Sequence, residues 1–191
     1  MKTTALLIAS VLPLAACNKS PEVHETNASV SEVSNAVHES GASDRFVNPG
    51  QWESKVTIEQ IDIPGMPREM AQRMKETMAK YQERSFETCL TKDDVKRPKE
   101  DFFTGKNDQC RYDHFNMSGG KIDAVMRCDE GNAAQVMRMA GTYSPDNYQM
   151  RMAMEREGGN AAGGGTAGDM TMKMRVDARR IGECTGKEAK G

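Results

Sequence analysis

Methionine alternates with other residues in three successive segments: Met137 and Met139; Met150, Met152 and Met154; Met170, Met172 and Met174. A period of two puts each set on one face of an extended strand. The chain holds 15 methionines and, after Cys17, a single leucine, Leu90, with only five isoleucines. Bulky apolar volume has to come from somewhere, and the thioethers are the main supply. The expectation is a β-rich domain whose core is built from methionine. Two functional readings compete with plain packing. Thioethers suit Cu(I) and also take up oxidant as sulfoxide, and a methionine-lined cavity adapts to apolar ligands of varied shape.

The other strands follow from period two and turn residues. Gly50-Gln51-Trp52-Glu53 opens a strand with Trp52, Ser54, Val56 and Ile58 on one face, and the shift of phase to Ile61 and Ile63 predicts a bulge at Glu59-Gln60. After Pro64-Gly65 the pattern turns helical: Pro67 and Glu69 suit a first turn, Lys80 and Arg84 a last one. Met66, Met70, Met74 and Met78 form a stripe, extended by Tyr81, expected to lie on the sheet. A short strand follows at 85–91, a charged loop at 92–109, then strands near 110–117, 121–128, 134–143, 147–156 and 169–181. The connections Ser118-Gly119-Gly120, Asp129 to Asn132 and Ser144 to Asn147 are short, which implies an antiparallel meander. The glycine-rich run Gly158 to Gly168 lacks a P-loop ending and reads as a hairpin loop. The fold class is α+β, mainly β: a curved antiparallel meander of about six to seven strands packed on one helix.

Register also places the cysteines. Cys89, Cys110, Cys128 and Cys184 remain once Cys17 is set aside, and four cysteines allow three pairings. With a three-residue turn at 118–120, Met117 opposes Lys121 and Cys110 opposes Cys128, close enough for a cross-strand disulfide. By subtraction Cys89 pairs with Cys184. That bridge closes about 95 residues and restricts the unfolded chain by about 4–5 kcal/mol in the loop-entropy model. Register further sets Met139 against Met152, Met137 against Met154 and, if the next hairpin keeps step, Met152 against Met172.

The N-terminus concerns location. Lys2 and the apolar run Ala5 to Leu14 resemble a signal peptide over 1–16, too short to span a bilayer. Leu14-Ala15-Ala16-Cys17 resembles a bacterial lipobox, so Cys17 is the expected lipidation site. Asn18 is not an inner-membrane retention aspartate. The expected place is therefore the periplasmic side of the outer membrane, with inner-membrane anchoring or a secreted periplasmic form as alternatives. An oxidising compartment agrees with two disulfides. Residues 17–45 are expected to be the lipidated cysteine and a disordered tether with a reach of roughly 30 Å. His24 and His38 would be solvated within it. The folded domain is expected over 46–186, with a polar tail at 187–191.

The residues nominate no chemistry. There is no GxSxG elbow, HExxH or Walker loop. His114, expected on one strand face with Cys110 and Tyr112, has no nucleophile or orienting acid assigned to it. Absence of CxxC spacing argues against redox-active thiols and zinc ribbons. A formal charge of −2 and the lack of a basic face with interleaved aromatics argue against nucleic acid.

With these landmarks placed, the chain resembles the bacterial family of domains of unknown function numbered 3617. Gly50-Gln51-Trp52-Glu53, Cys89-Leu90-Thr91, the paired Cys110 and Cys128, and Arg180-Ile181-Gly182-Glu183-Cys184 carry the resemblance over roughly 46–186. It implies a small secreted or lipid-anchored envelope domain and transfers no active site. The expected function is non-enzymatic and needs no cofactor: a lipoprotein held at the membrane, structural or binding an apolar ligand or envelope protein. The alternative is a Cu(I)-binding or oxidant-buffering protein using the eight methionines of 137–174.

Overall fold

A computed structural model describes residues 21–42, 46–82, 85–96, 109–129, 133–158, 169–186 and 189–190. The expected signal peptide, Cys17, most of the glycine-rich run and most of the tail lie outside the described residues.

The strands are β1 (Val23–Ser29), β2 (Gly50–Asp62), β3 (Ser85–Leu90), β4 (Cys110–Ser118), β5 (Lys121–Asp129), β6 (Ala133–Ser144), β7 (Asn147–Gly158), β8 (Met170–Gly182) and β9 (Ala189–Lys190). They form one open nine-stranded sheet in the order β1-β4-β5-β6-β7-β8-β2-β3-β9. All pairings are antiparallel except that of β9 with β3. The expected meander is β4 to β8, continued by β2 and β3. The two edge strands β1 and β9 raise the count above the expected six to seven.

Helices α1 (Val30–Glu39), α2 (Arg68–Gln82) and α3 (Lys92–Lys96) accompany the sheet. The stretch expected to be a tether is instead structured over 21–42, where β1 pairs with β4 and α1 packs on both. Ser29 starts α1 with a capping box: its hydroxyl accepts from the Glu32 N–H at 3.2 Å, and its own N–H donates to the Glu32 carboxylate at 2.7 Å. The backbone and hydroxyl bonds from Ser29 hold the Glu32 carboxyl below the usual carboxylate range. Val33 and Val37 are buried, and with Val23, Ala28 and Ala42 they join the core of β4 and β5. His24 therefore sits on β1, its Nδ1 2.9 Å from Asn116 Oδ1, and His38 in the last turn of α1. The loop expected at 92–109 begins with α3. Thr91 caps it by accepting from the Asp94 N–H, and Val95 is buried.

Both disulfides are present, Cys89–Cys184 and Cys110–Cys128. Two departures from the expected register cancel in the second pairing. The turn is two residues long, Gly119-Gly120, with Ser118 opposite Lys121, and φ is 55° and 76° at the two glycines. A bulge at Asp113 then shifts register back by one, so that Cys110 faces Cys128. That bulge also corrects His114. Cys110, Tyr112, Phe115 and Met117 are buried, while His114 turns to the opposite face and its Nε2 lies 2.7 Å from Asp123 Oδ1. The expected bulge in β2 is found between Ile58 and Gln60.

Candidate binding face

Cross-strand register assembles one apolar face from β4, β5, β6, β7, β8 and β2. One row runs Phe115, Ala124, Met139, Met152, Met174, Ile58. A second runs Tyr112, Met126, Met137, Met154, Met172, Ile61, and a third Met117, Ile122, Gly141, Met150, Val176, Val56. Directly opposed side chains on antiparallel strands are close neighbours, with Cβ atoms about 4.5–5.5 Å apart. Seven of the eight expected methionines are thus brought together, and Met170, opposite Arg156, stands at the rim. One pairing differs from expectation: Met152 faces Met174 and Met154 faces Met172, so the last hairpin is out of step by two residues but keeps the same face.

Met117 and Met126 belong to this surface and were missing from the sequence reading. Met126 directly faces Met137, and its alternation with Ala124 and Cys128 on β5 was the signal that would have found it.

Burial is uneven along the rows. In the first, Phe115 is 0%, Ala124 1% and Met139 6% exposed, whereas Met152, Met174 and Ile58 are half-buried. In the second, Tyr112 and Met126 are buried and the four residues beyond are half-buried. The buried end lies on the strands nearest α1, which packs on β1 and β4.

One end of the face is closed by aromatics. Phe46 packs on Tyr143 and Tyr148 with ring centroids at 4.9 and 6.4 Å, and Trp52 lies 5.8 Å from Tyr148. Trp52 donates its indole N–H to the Asn48 carbonyl at 3.0 Å. Burial pushes the phenols of Tyr143 and Tyr148 up from their ordinary value.

The helix expected to cover the methionines does not run along them. α2 makes its main contact with β2, Met70 is 57% exposed, and Met74 and Met78 are half-buried. The seal over the sheet comes from α1 instead. The turn at Pro64-Gly65, closed by the Met66 N–H donating to the Ile63 carbonyl at 3.1 Å, leads the 15-residue helix back against β2 at that side of the sheet.

Chemically, the face offers soft, polarizable, flexible side chains with few charges among them. Among the described residues no group of three or more His, Cys, Asp and Glu is placed to hold a metal ion. Any metal held here would have to be one that accepts thioethers.

Comparison with known proteins gives one result. The family model described as a protein of unknown function (DUF3617) matches residues 47–184. No curated protein and no solved structure matches the chain. The match begins within the segment that leads into β2 and ends at the second cysteine of the longer bridge, so β1 and α1 lie before it. Through nearly the whole of its sheet, this chain belongs to the DUF3617 family of proteins of unknown function.

Proposed function

We propose that this domain is a non-enzymatic binding module of the bacterial cell envelope that takes an apolar small molecule on its methionine face. The lipobox-like Leu14 to Cys17 supports a lipid anchor, and Asn18 supports the periplasmic side of the outer membrane. The observation that carries the binding reading is the gradient of burial along the cross-strand rows. A face meant only to be core would be sealed along its length, as it is over β4 and β5. Here the sealing stops at β6, and flexible thioethers line the half-open stretch over β7 and β8. Such side chains re-pack around ligands of different outline at little cost in strain.

The test is titration of the purified full chain with the apolar fluorophore N-phenyl-1-naphthylamine, followed by displacement with palmitate. Saturable, displaceable binding is expected, and Met152→Lys or Met154→Lys should weaken it about tenfold by placing a charge among the thioethers. Binding that does not saturate, or that both variants leave unchanged, refutes the reading.

A second reading rests on the trios Met139-Met152-Met174 and Met137-Met154-Met172, each three thioethers side by side across neighbouring strands. Soft donors in that number suit Cu(I). Anaerobic Cu(I) titration separates the readings: an affinity weaker than about micromolar removes the metal.

A further inference from the structure

The opposite face of the same strands carries a different cluster. Arg138 and Lys173 both stand opposite Ala153, one from each side. In the next row Arg151 stands between Ala140 and Arg175. Arg151 and Arg175 are thus directly opposed like charges, an arrangement that costs stability in a sheet unless something neutralises it. Val125, Ala140 and Ala153 are short, and over them lies a depression of about 360 Å³ whose lining includes Arg138, Arg151 and Lys173.

Internal partners satisfy this cluster only in part. Arg175 is engaged by Asp177 at 2.8 Å. Arg151 lies 3.8 Å from Glu59, and Arg138 lies 3.8 Å from Glu155, both beyond hydrogen-bond length. Lys173 is exposed and has no ion-pair partner among the described residues. Two carboxylates also line the depression, Glu59 near Arg151 and Asp123 held by His114 at 2.7 Å, so that three cations stand against two acids, one of which is already engaged.

We infer that this depression is an oxyanion site, in which Arg138, Arg151 and Lys173 hold a multiply charged phosphate group over the alanine floor. Two guanidinium groups supply N–H donors in planar forks that match phosphate oxygens, and the lysine adds a mobile point charge. The small residues beneath let the anion approach the sheet. The group could belong to a soluble phosphate compound or to a lipid headgroup, since the recognised chemistry is the same.

Isothermal titration of the purified full chain with inorganic pyrophosphate at low ionic strength tests this. Saturable binding with a Kd tighter than about 1 mM is expected, weakened about tenfold in Lys173→Gln and in Arg151→Gln. Lys55→Gln, on the same face but outside the depression, should leave it unchanged. Absence of binding overturns the inference, as does equal loss in Lys55→Gln, which would mean diffuse surface charge. Ala153→Leu should also abolish binding by filling the floor. Should that variant fail to fold, the exposed Lys173→Gln still decides. Flotation with phosphatidylglycerol and phosphatidylcholine vesicles assigns the source. A preference for the anionic vesicles that Lys173→Gln removes points to a headgroup, and no preference points to a soluble phosphate.

Discussion

At the scale of single residues, Gly141 shows how the methionine face is fitted together. It occupies the one position of the third row that has no side chain, between Ile122 and Met150. A Cβ built there would lie 2.2 Å from the Gln149 carbonyl oxygen and 2.9 Å from the Met150 sulfur. The thioether could swing aside, but the Gln149 carbonyl and the Met150 Cα at 3.0 Å are backbone, so any side chain here has to displace β7. Gly141→Val should therefore destabilise the fold by about 1–3 kcal/mol through overpacking, read as a lowered midpoint in urea. An unchanged midpoint would mean that the strand yields there.

Glu53 gives the pH dependence. The hydrogen bond from Arg179, then one from Ser85, and then the Arg179 charge hold its carboxyl below 4.5. Arg179 reaches it with both Nε and an Nη at 2.8 Å. A depressed folded pKa means stability that is complete above the unfolded value and is lost as pH falls through the folded one. The stability gap between the wild-type chain and Glu53→Gln should be largest near neutral pH and close progressively below about pH 4.5. Urea melts across that range measure it, and a gap that ignores pH would show that the Arg179 pair contributes nothing.

At the scale of elements, α1 is the part the sequence reading missed. Its signals were present: Ser29 and Glu32 at capping-box spacing, and Val30, Val33 and Val37 at helical spacing. They were outweighed by a polar composition, because a helix that packs on a sheet needs only one narrow apolar stripe. Strands were easier to read, since alternation and turn residues repeat the same message over many positions. The bulge at Glu59-Gln60 showed itself as a change of apolar phase, whereas the bulge at Asp113 left no such trace, because Asp113 and His114 are both polar. That silent bulge put His114 on the wrong face in the sequence reading while leaving the cysteine pairing right. The candidate face was legible as a set of methionines, but its partial covering was not, since covering depends on where α1 and α2 dock. Because Ser29 caps a helix that packs into the core, Ser29→Ala should cost about 1 kcal/mol of stability. A disordered tether would register no change at all, so one thermal melt distinguishes the two.

At the scale of the whole molecule, one sheet separates two chemistries. On one face the side chains are sulfur and hydrocarbon, sealed near α1 and half-open toward β2. On the other they are charged and short, with cations gathered over alanine. Two disulfides fix the sheet at well-separated places: Cys110–Cys128 on the sealed side, and Cys89–Cys184 tying β3 to the chain beyond β8. The framework is therefore pinned while the thioethers between remain adaptable. This arrangement makes an ordered prediction about oxidation. Peroxide reaches a methionine in proportion to its exposure, and sulfoxide adds about 16 Da that peptide mapping can place residue by residue. After a short hydrogen peroxide pulse Met70 should oxidise first, being 57% exposed. Met152, Met154, Met172 and Met174 should come second, and Met117 and Met126, each 1% exposed, should come last. A bound apolar ligand should slow the middle group alone, because it covers that part of the face and leaves Met70 and the sealed residues as they were. Uniform oxidation of all these positions would mean that the face opens as a unit, and the half-covered surface on which binding depends would not exist.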